Sequence, residues 1–143
     1  MKKVIFIGMA LIILCLSGCK ENESYTFMHP LEKITSIDLI YVEQYCDYNT
    51  YDGIPATKTI PTEQWPAFIE DFRDITCKYH SMDPTYSTSG TIIRILYSDG
   101  SHEVISAYTG LHISSDGKGN YTPFCFDKDE FTTLIETWGQ TNY

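Results

Sequence analysis

Apolar positions change their period several times along the chain, and each change marks an element. An unbroken apolar run, Val4 to Leu16, follows Lys2 and Lys3. Its 13 residues fall short of the roughly 20 that a membrane-spanning helix needs. Ile34 to Val42 (ITSIDLIYV) then alternates, with Ile37, Leu39 and Tyr41 on one face, and predicts a strand. A Tyr-rich, acidic segment, Glu43 to Gly53, ends in the turn signal Asp52-Gly53. Ala56 to Ile60 reads as the return strand of a hairpin. From Thr62 to Cys77 the period becomes helical. Trp65, Phe68, Ile69, Phe72 and Ile75 make one apolar stripe, with Glu70, Asp71, Arg73 and Asp74 on the other side. Thr62 is the predicted N-cap, and Pro66 sits in the first turn, where a missing N–H costs little.

Lys78 to Gly90 is a predicted loop of 13 residues, punctuated by Asp83-Pro84 and Ser89-Gly90. Four strands follow: Thr91 to Tyr97, His102 to Tyr108, Leu111 to Ser114 and Tyr121 to Phe126. Ser98-Asp99-Gly100-Ser101, Thr109-Gly110 and Asp116 to Asn120 turn between them, and Pro123 places the last strand at an edge. The final helix starts at Asp127 as N-cap. Glu130 completes an acidic capping box, and Phe126 with Phe131 forms a hydrophobic staple. Phe131, Leu134, Ile135 and Trp138 form its stripe, and Gly139 is the predicted C-cap. The order is β-β-α-β-β-β-β-α. Two amphipathic helices need one sheet to cover, so the prediction is an α+β two-layer sandwich, an antiparallel sheet with both helices on one face. This order resembles the TATA-box-binding-protein-like topology of small bacterial envelope modules. That resemblance implies a curved sheet and does not bring nucleic-acid binding with it.

The apolar run closes on Leu16-Ser17-Gly18-Cys19, which resembles the lipobox of bacterial lipoprotein precursors. The resemblance implies a diacylglycerol on the Cys19 sulfur, cleavage before Cys19 and often an acyl chain on the new amine. Two or three chains anchor stably where one does not, at about 0.8 kcal/mol per buried methylene. It divides the chain into a signal peptide (1–18), a lipid-anchored tether (19–31) and a single α+β domain (32–143). The implied location is the bacterial cell membrane or outer membrane, with the domain outside the cytoplasm. Lys20-Glu21-Asn22-Glu23 resembles the export tag that follows the cysteine in some surface lipoproteins.

Cleavage before Cys19 also changes the charge. The whole chain carries −9; after it loses Lys2 and Lys3, 8 Lys and Arg face 19 Asp and Glu, a net of −11. A surface this acidic repels nucleic acid and anionic headgroups, and no basic run follows Lys3. A hydrophobic fraction of 43% and an aromatic fraction of 14% argue for a packed core over disorder.

Five cysteines reduce to three, because Cys15 leaves with the signal and Cys19 is the lipid site. Outside the cytosol, Cys46, Cys77 and Cys125 allow one bridge and one odd thiol. The predicted topology brings Cys46 and Cys77 to one end. A Cys46–Cys77 bridge would close about 30 residues and contribute roughly 3 kcal/mol. The competing arrangement is a zinc-type site from Cys46, Cys77, His80 and Cys125, built on a C-x2-H spacing without paired C-x2-C knuckles. The reading favours the bridge and assigns no metal and no cofactor. Asp116, Lys118 and Asn120 depart from a calcium loop at several positions and read as a hairpin turn.

Ser101, His102 and His112 lie close in the predicted hairpin, but no nucleophile-elbow, H-E-x-x-H or phosphate-loop pattern supports catalysis. The chain therefore reads as a non-enzyme. Tyr45, Tyr48 and Tyr51, interleaved with carboxylates, are the candidate partner-binding residues, since Tyr offers large contact area at low entropic cost. Three functions fit, and the sequence favours the first. One is a non-catalytic envelope module that binds a protein or serves an assembly. The second handles a metal or small molecule at the cysteine end, and the third is an inhibitor-like module that inserts a hairpin tip.

Overall fold

A computed structural model describes residues 24–42, 51–79, 90–122 and 124–140. Its strands and α-helices run β1 (Ile34–Val42), β2 (Ala56–Thr59), α1 (Trp65–Asp74), β3 (Cys77–Tyr79), β4 (Gly90–Tyr97), β5 (His102–Ile105), β6 (Gly110–Ile113), β7 (Gly119–Thr122), β8 (Phe124–Phe126) and α2 (Lys128–Gly139). Six strands form one antiparallel sheet in the order β2-β1-β4-β5-β6-β7, and β3 pairs with β8 in a small ribbon. The predicted α+β sandwich is the fold observed.

β1 and β4 are the centre of the sheet, with Ile37 opposite Ile95 and Leu39 opposite Ile93. Strand side chains alternate between faces, so Ile37, Leu39, Ile93, Ile95 and Ile105 share one face. The helices bury Phe68, Ile69, Phe72, Phe131 and Leu134 against it. Phe68 meets Trp138 edge to face at 5.4 Å, which joins α1 to α2. The opposite face has its own apolar cluster: Ile40, Val42, Ile92, Val104, Leu111 and Ile113 pack with Tyr51. β4 is apolar on both sides because both faces are covered.

Asp127 caps α2 as predicted, accepting from Asp129 N at 3.1 Å and Glu130 N at 3.0 Å. The staple forms too, with the Phe126 and Phe131 rings 5.8 Å apart. Glu130, however, does not close the box. It accepts from Thr76 N at 2.6 Å, while Asp127 N donates to Thr76 O, so the start of α2 is tied to the end of α1. Gly139 lies inside α2; the C-cap is Gln140, whose N–H reaches Glu136 O, and no left-handed residue is needed. Gly100 does take positive φ (84°) in the β4–β5 turn, where a side chain would be strained.

Three predicted boundaries shift. Thr62 is not an N-cap: Thr62–Gln64 is a single 3-10 turn, and α1 begins at Trp65 without a side-chain cap. α1 ends at Asp74, not Cys77. Ile75 is extended (φ −66°, ψ 132°) yet still buried, so the stripe continues past the helix, and Cys77–Tyr79 is a strand. The single last strand is two. β7 stays in the main sheet, and β8 joins the ribbon after Pro123, which has no N–H for a ladder.

The largest correction concerns the N-terminal side. Residues up to 31 were expected to be tether, with the domain starting at 32. Tyr25 is instead only 6% exposed and belongs to the core, and Phe27, Met28 and Leu31 pack against it. The domain therefore starts no later than Tyr25, and residues 24–33 form a strap across the helix-bearing face.

Candidate functional site

The strap is held by a buried acid. Glu103 in β5 points to the helix-bearing face and is fully buried. Its Oε2 accepts from Tyr25 Oη at 2.6 Å. Its Oε1 accepts from Met28 N at 2.5 Å and from the hydroxyl of Tyr97. His112 in β6, directly opposite Glu103, places Nε2 3.1 Å from Oε2 and 3.2 Å from Tyr25 Oη. Tyr25 has one hydroxyl proton and spends it on Glu103, so His112 Nε2 carries a hydrogen in this network. Burial alone would raise the Glu103 pKa. Hydrogen bonds from His112, Tyr25 and Tyr97 outweigh it and hold the carboxyl below the usual range. The phenols respond in the opposite sense: burial first, then the Glu103 charge, pushes both Tyr25 and Tyr97 far above the ordinary tyrosine value. Gly110 makes room for the strap, since a Cβ there would lie 2.8 Å from Tyr25 Oη and 2.5 Å from Thr122 Oγ1.

A second polar group fastens the strap's other end. His29 Nε2 lies 3.0 Å from Ser101 Oγ and 3.0 Å from Asp99 Oδ2. These are the three residue types of a hydrolase triad in a different arrangement. In a triad the acid holds Nδ1 and the serine faces Nε2. Here acid and serine share one nitrogen, and the Ser101 hydroxyl donates to Asp99 Oδ1 at 2.6 Å. The Ser101 hydroxyl is thus given to a carboxylate already bonded within the turn, an arrangement unlike the serine-to-base bond of a triad. Of the two histidines read from sequence, His112 joins Glu103, whereas His102 is buried on the other face, in line with Val104.

The sheet's second face holds a buried ion pair. Arg94 Nη2 lies 2.8 Å from Asp38 Oδ2, and Asp38 Oδ1 accepts from Ser36 and Thr59 hydroxyls at 2.8 Å each. Arg94 Nη1 donates to Tyr51 O at 2.7 Å and Ile54 O at 2.8 Å. Burial opposes the Asp38 charge, but these bonds and the guanidinium keep its pKa below the usual range. Tyr51, a candidate partner-binding residue, is thus drawn inward and only 6% exposed. Its ring is core, not contact surface. Tyr45 and Tyr48 lie outside the described residues.

Cys19, Cys46 and His80 also lie outside them. Cys77 is buried and Cys125 half-buried. Cys77 stands opposite Phe126 while Cys125 stands opposite Lys78, so the two thiols project from opposite faces of the β3–β8 ribbon. They are not bonded to each other and do not converge on one ion, as the four-ligand alternative requires. Among the described residues no group of three or more His, Cys, Asp or Glu is placed to hold a metal. The hairpin turn read from sequence at Asp116 to Asn120 lies two residues earlier, at 114–118, with Gly119 and Asn120 already in β7; Gly117 is at φ 80° and Asp116 is bonded to Lys118 Nζ at 2.8 Å.

One open groove, of about 540 Å³, lies where α2 crosses the end of the sheet. Tyr41, Thr91, Tyr108, Lys128, Phe131 and Ile135 contribute to its walls. Tyr41 is 53% exposed and Tyr108 49% exposed, and they are the exposed large hydrophobic side chains among the described residues. Sequence reading placed Tyr41 on the apolar face of β1, where it is; it continues past the helices that cover Ile37 and Leu39. Tyr108 was placed inside a strand and instead sits in the Ser106–Thr109 turn. Comparison with known proteins finds no matching family, and no curated protein and no solved structure that is significantly similar.

Proposed function

We propose that the chain is a non-catalytic envelope lipoprotein, anchored through lipid on Cys19, whose domain is a binding or assembly module with its contact surface at the Tyr41–Tyr108 groove. The observation that supports this is the sharing of one groove by both exposed tyrosines. Single exposed apolar side chains are ordinary; two large ones converging on a concave site are the usual mark of contact. Among the described residues, Glu103 with His112 and, separately, His29 with Ser101 and Asp99 are bonded into two groups that hold the strap. No helix among the described residues is long and apolar enough to cross a membrane; in this reading the lipid on Cys19 is the means of attachment. What the groove meets in this reading is part of the envelope, and the acidic charge argues against nucleic acid.

Two measurements test it. Cys19→Ser should move the protein from the detergent-rich to the aqueous phase on phase separation; a variant that stays with detergent through a lipid defeats the anchor. A photo-crosslinking residue at position 108 should give adducts in intact envelopes while one at Thr133, on the exposed side of α2, does not. Equal or absent adducts at both positions defeat the groove as contact surface.

A further inference from the structure

We infer that the end of the sheet carrying Tyr41 and Tyr108 faces the membrane, with the two tyrosines at the interfacial layer of the bilayer to which the chain is anchored. The inference rests on the lipid at Cys19 proposed above and names what that contact surface meets.

The strap supplies the direction. β1 ends at Val42 beside Gly90, and the β5–β6 turn, Ser106–Thr109, closes at that same end. Ile34, Tyr97 and the β4–β5 turn mark the opposite end. The Tyr25 hydroxyl lies beside Gly110, the first residue of β6, and its ring packs on Phe126, whose N–H donates to Ala107 O in the β5–β6 turn. Met28 bonds Glu103, His29 reaches Asp99 and Ser101, and Lys33 O accepts from Ser98 N at 2.9 Å. From Tyr25 to Lys33 the strap thus runs from the Val42 end to the Ile34 end. The first described residues of the strap therefore lie toward the Val42 end, where the tyrosine groove lies.

The linker supplies the distance. Cys19 is six residues from Tyr25, a reach of at most about 20 Å when fully extended. A free tether ending at residue 31 would leave the domain's attitude open; a strap locked from Tyr25 onward does not. The exposed side chains at that end suit the interface. Tyrosine has an apolar ring and a polar tip, and it is enriched where membrane meets water. Lys128 and Glu136 both line the groove, and Asp127, Asp129 and Glu130 are exposed at the same helix start. The surface is therefore not an anionic-lipid site. It fits a zwitterionic layer, held there by the anchor.

The native tryptophans provide an internal control. Trp65 packs near Leu31 at the Ile34 end, donating to Ile60 O at 2.9 Å. Trp138 is one turn beyond Ile135 of the groove, but its indole is turned to α1, packing on Phe68 and donating to Asp71 Oδ2 at 2.9 Å. The experiment uses full-length lipidated protein in phosphatidylcholine vesicles with and without dibrominated phosphatidylcholine, which quenches indole emission on contact. Flotation is measured first. Tyr108→Trp and Tyr41→Trp should each add emission that brominated lipid removes, while the parent protein's emission stays unchanged. If the protein floats but the added emission survives, or parent and added emission are quenched alike, the orientation is overturned and the anchor stands. If the protein does not float, the anchor fails and the orientation with it.

Discussion

Two buried carboxylates occupy opposite faces of the same sheet. Asp38 is 3% exposed and Glu103 is fully buried. Each ties an irregular segment to the sheet. Asp38 does so through Arg94, whose guanidinium holds the Tyr51 and Ile54 carbonyls. Glu103 does so directly, by accepting from Tyr25 and Met28 of the strap. The difference lies in what answers the charge. Asp38 meets a permanent cation. Glu103 meets two phenols, a backbone amide and a histidine. A charge answered by a fixed cation is costly to unpair, because the partner stays charged when the acid is lost. A charge answered by dipoles leaves behind only donors that need new partners.

That contrast ranks the substitutions. Asp38→Asn should be the most damaging, at about 4 kcal/mol, because it leaves Arg94 buried without a counter-charge. Urea unfolding should show a lower midpoint at an unchanged slope. A cost under about 1 kcal/mol would put the pair in the class of exposed bridges and remove the distinction between the faces.

Glu103→Gln should cost less, about 2 kcal/mol, since its donors are neutral or adaptable. The pH profile sharpens the comparison. Both carboxyls sit below their usual values when folded, so each contributes in full above about pH 4.5 and loses its contribution as pH falls through the folded pKa. Acid therefore weakens both faces. Alkali separates them. Tyr25 and Tyr97 are raised when folded, so their contribution is complete below about pH 10 and lost as pH climbs above it, where the unfolded chain ionises first. Thermal midpoints should thus fall above pH 10, and Asp38→Asn should leave that limb intact. Glu103→Gln should shrink it without abolishing it, because burial is the larger cause of the phenol shifts. An alkaline limb of unchanged steepness in Glu103→Gln would sever the phenols from the carboxylate.

The two regions also differed in how far they could be read from sequence. Alternation in ITSIDLIYV and the near-continuous apolar run TIIRILY carried the sheet, since burial on one face leaves a period of two and burial on both leaves none. Asp127 and the Phe126–Phe131 staple carried the start of α2, because capping is local chemistry. The end of α1 was not legible: Ile75 is buried in extended conformation, and burial alone does not distinguish that from another helical turn. The strap was not legible for a stronger reason. Tyr25, Phe27 and Met28 have no period, and Tyr25 finds its acceptor 78 residues later. Glu103 likewise looks like any strand acid facing water until Tyr25 covers it. Likewise, Tyr51 read as surface because nothing near it in sequence announces that Arg94 will draw its carbonyl inward.

The smallest effect tests the strap itself. Tyr25→Phe keeps the ring that packs edge to face on Phe27 at 5.4 Å and Phe72 at 5.6 Å, and deletes only the hydroxyl. Loss of one hydrogen bond to a buried carboxylate should cost about 1.5 kcal/mol. Glu103 would keep Met28 N, Tyr97 and His112, so its charge remains answered and the core stays closed. What should change is local. Amide exchange should quicken across residues 25–33 and stay slow in β1 and β4, because the strap opens without the sheet. Uniform quickening would show that strap and sheet unfold as one unit. The Glu103 face would then be as indivisible as the Asp38 face, despite its lack of a fixed cation.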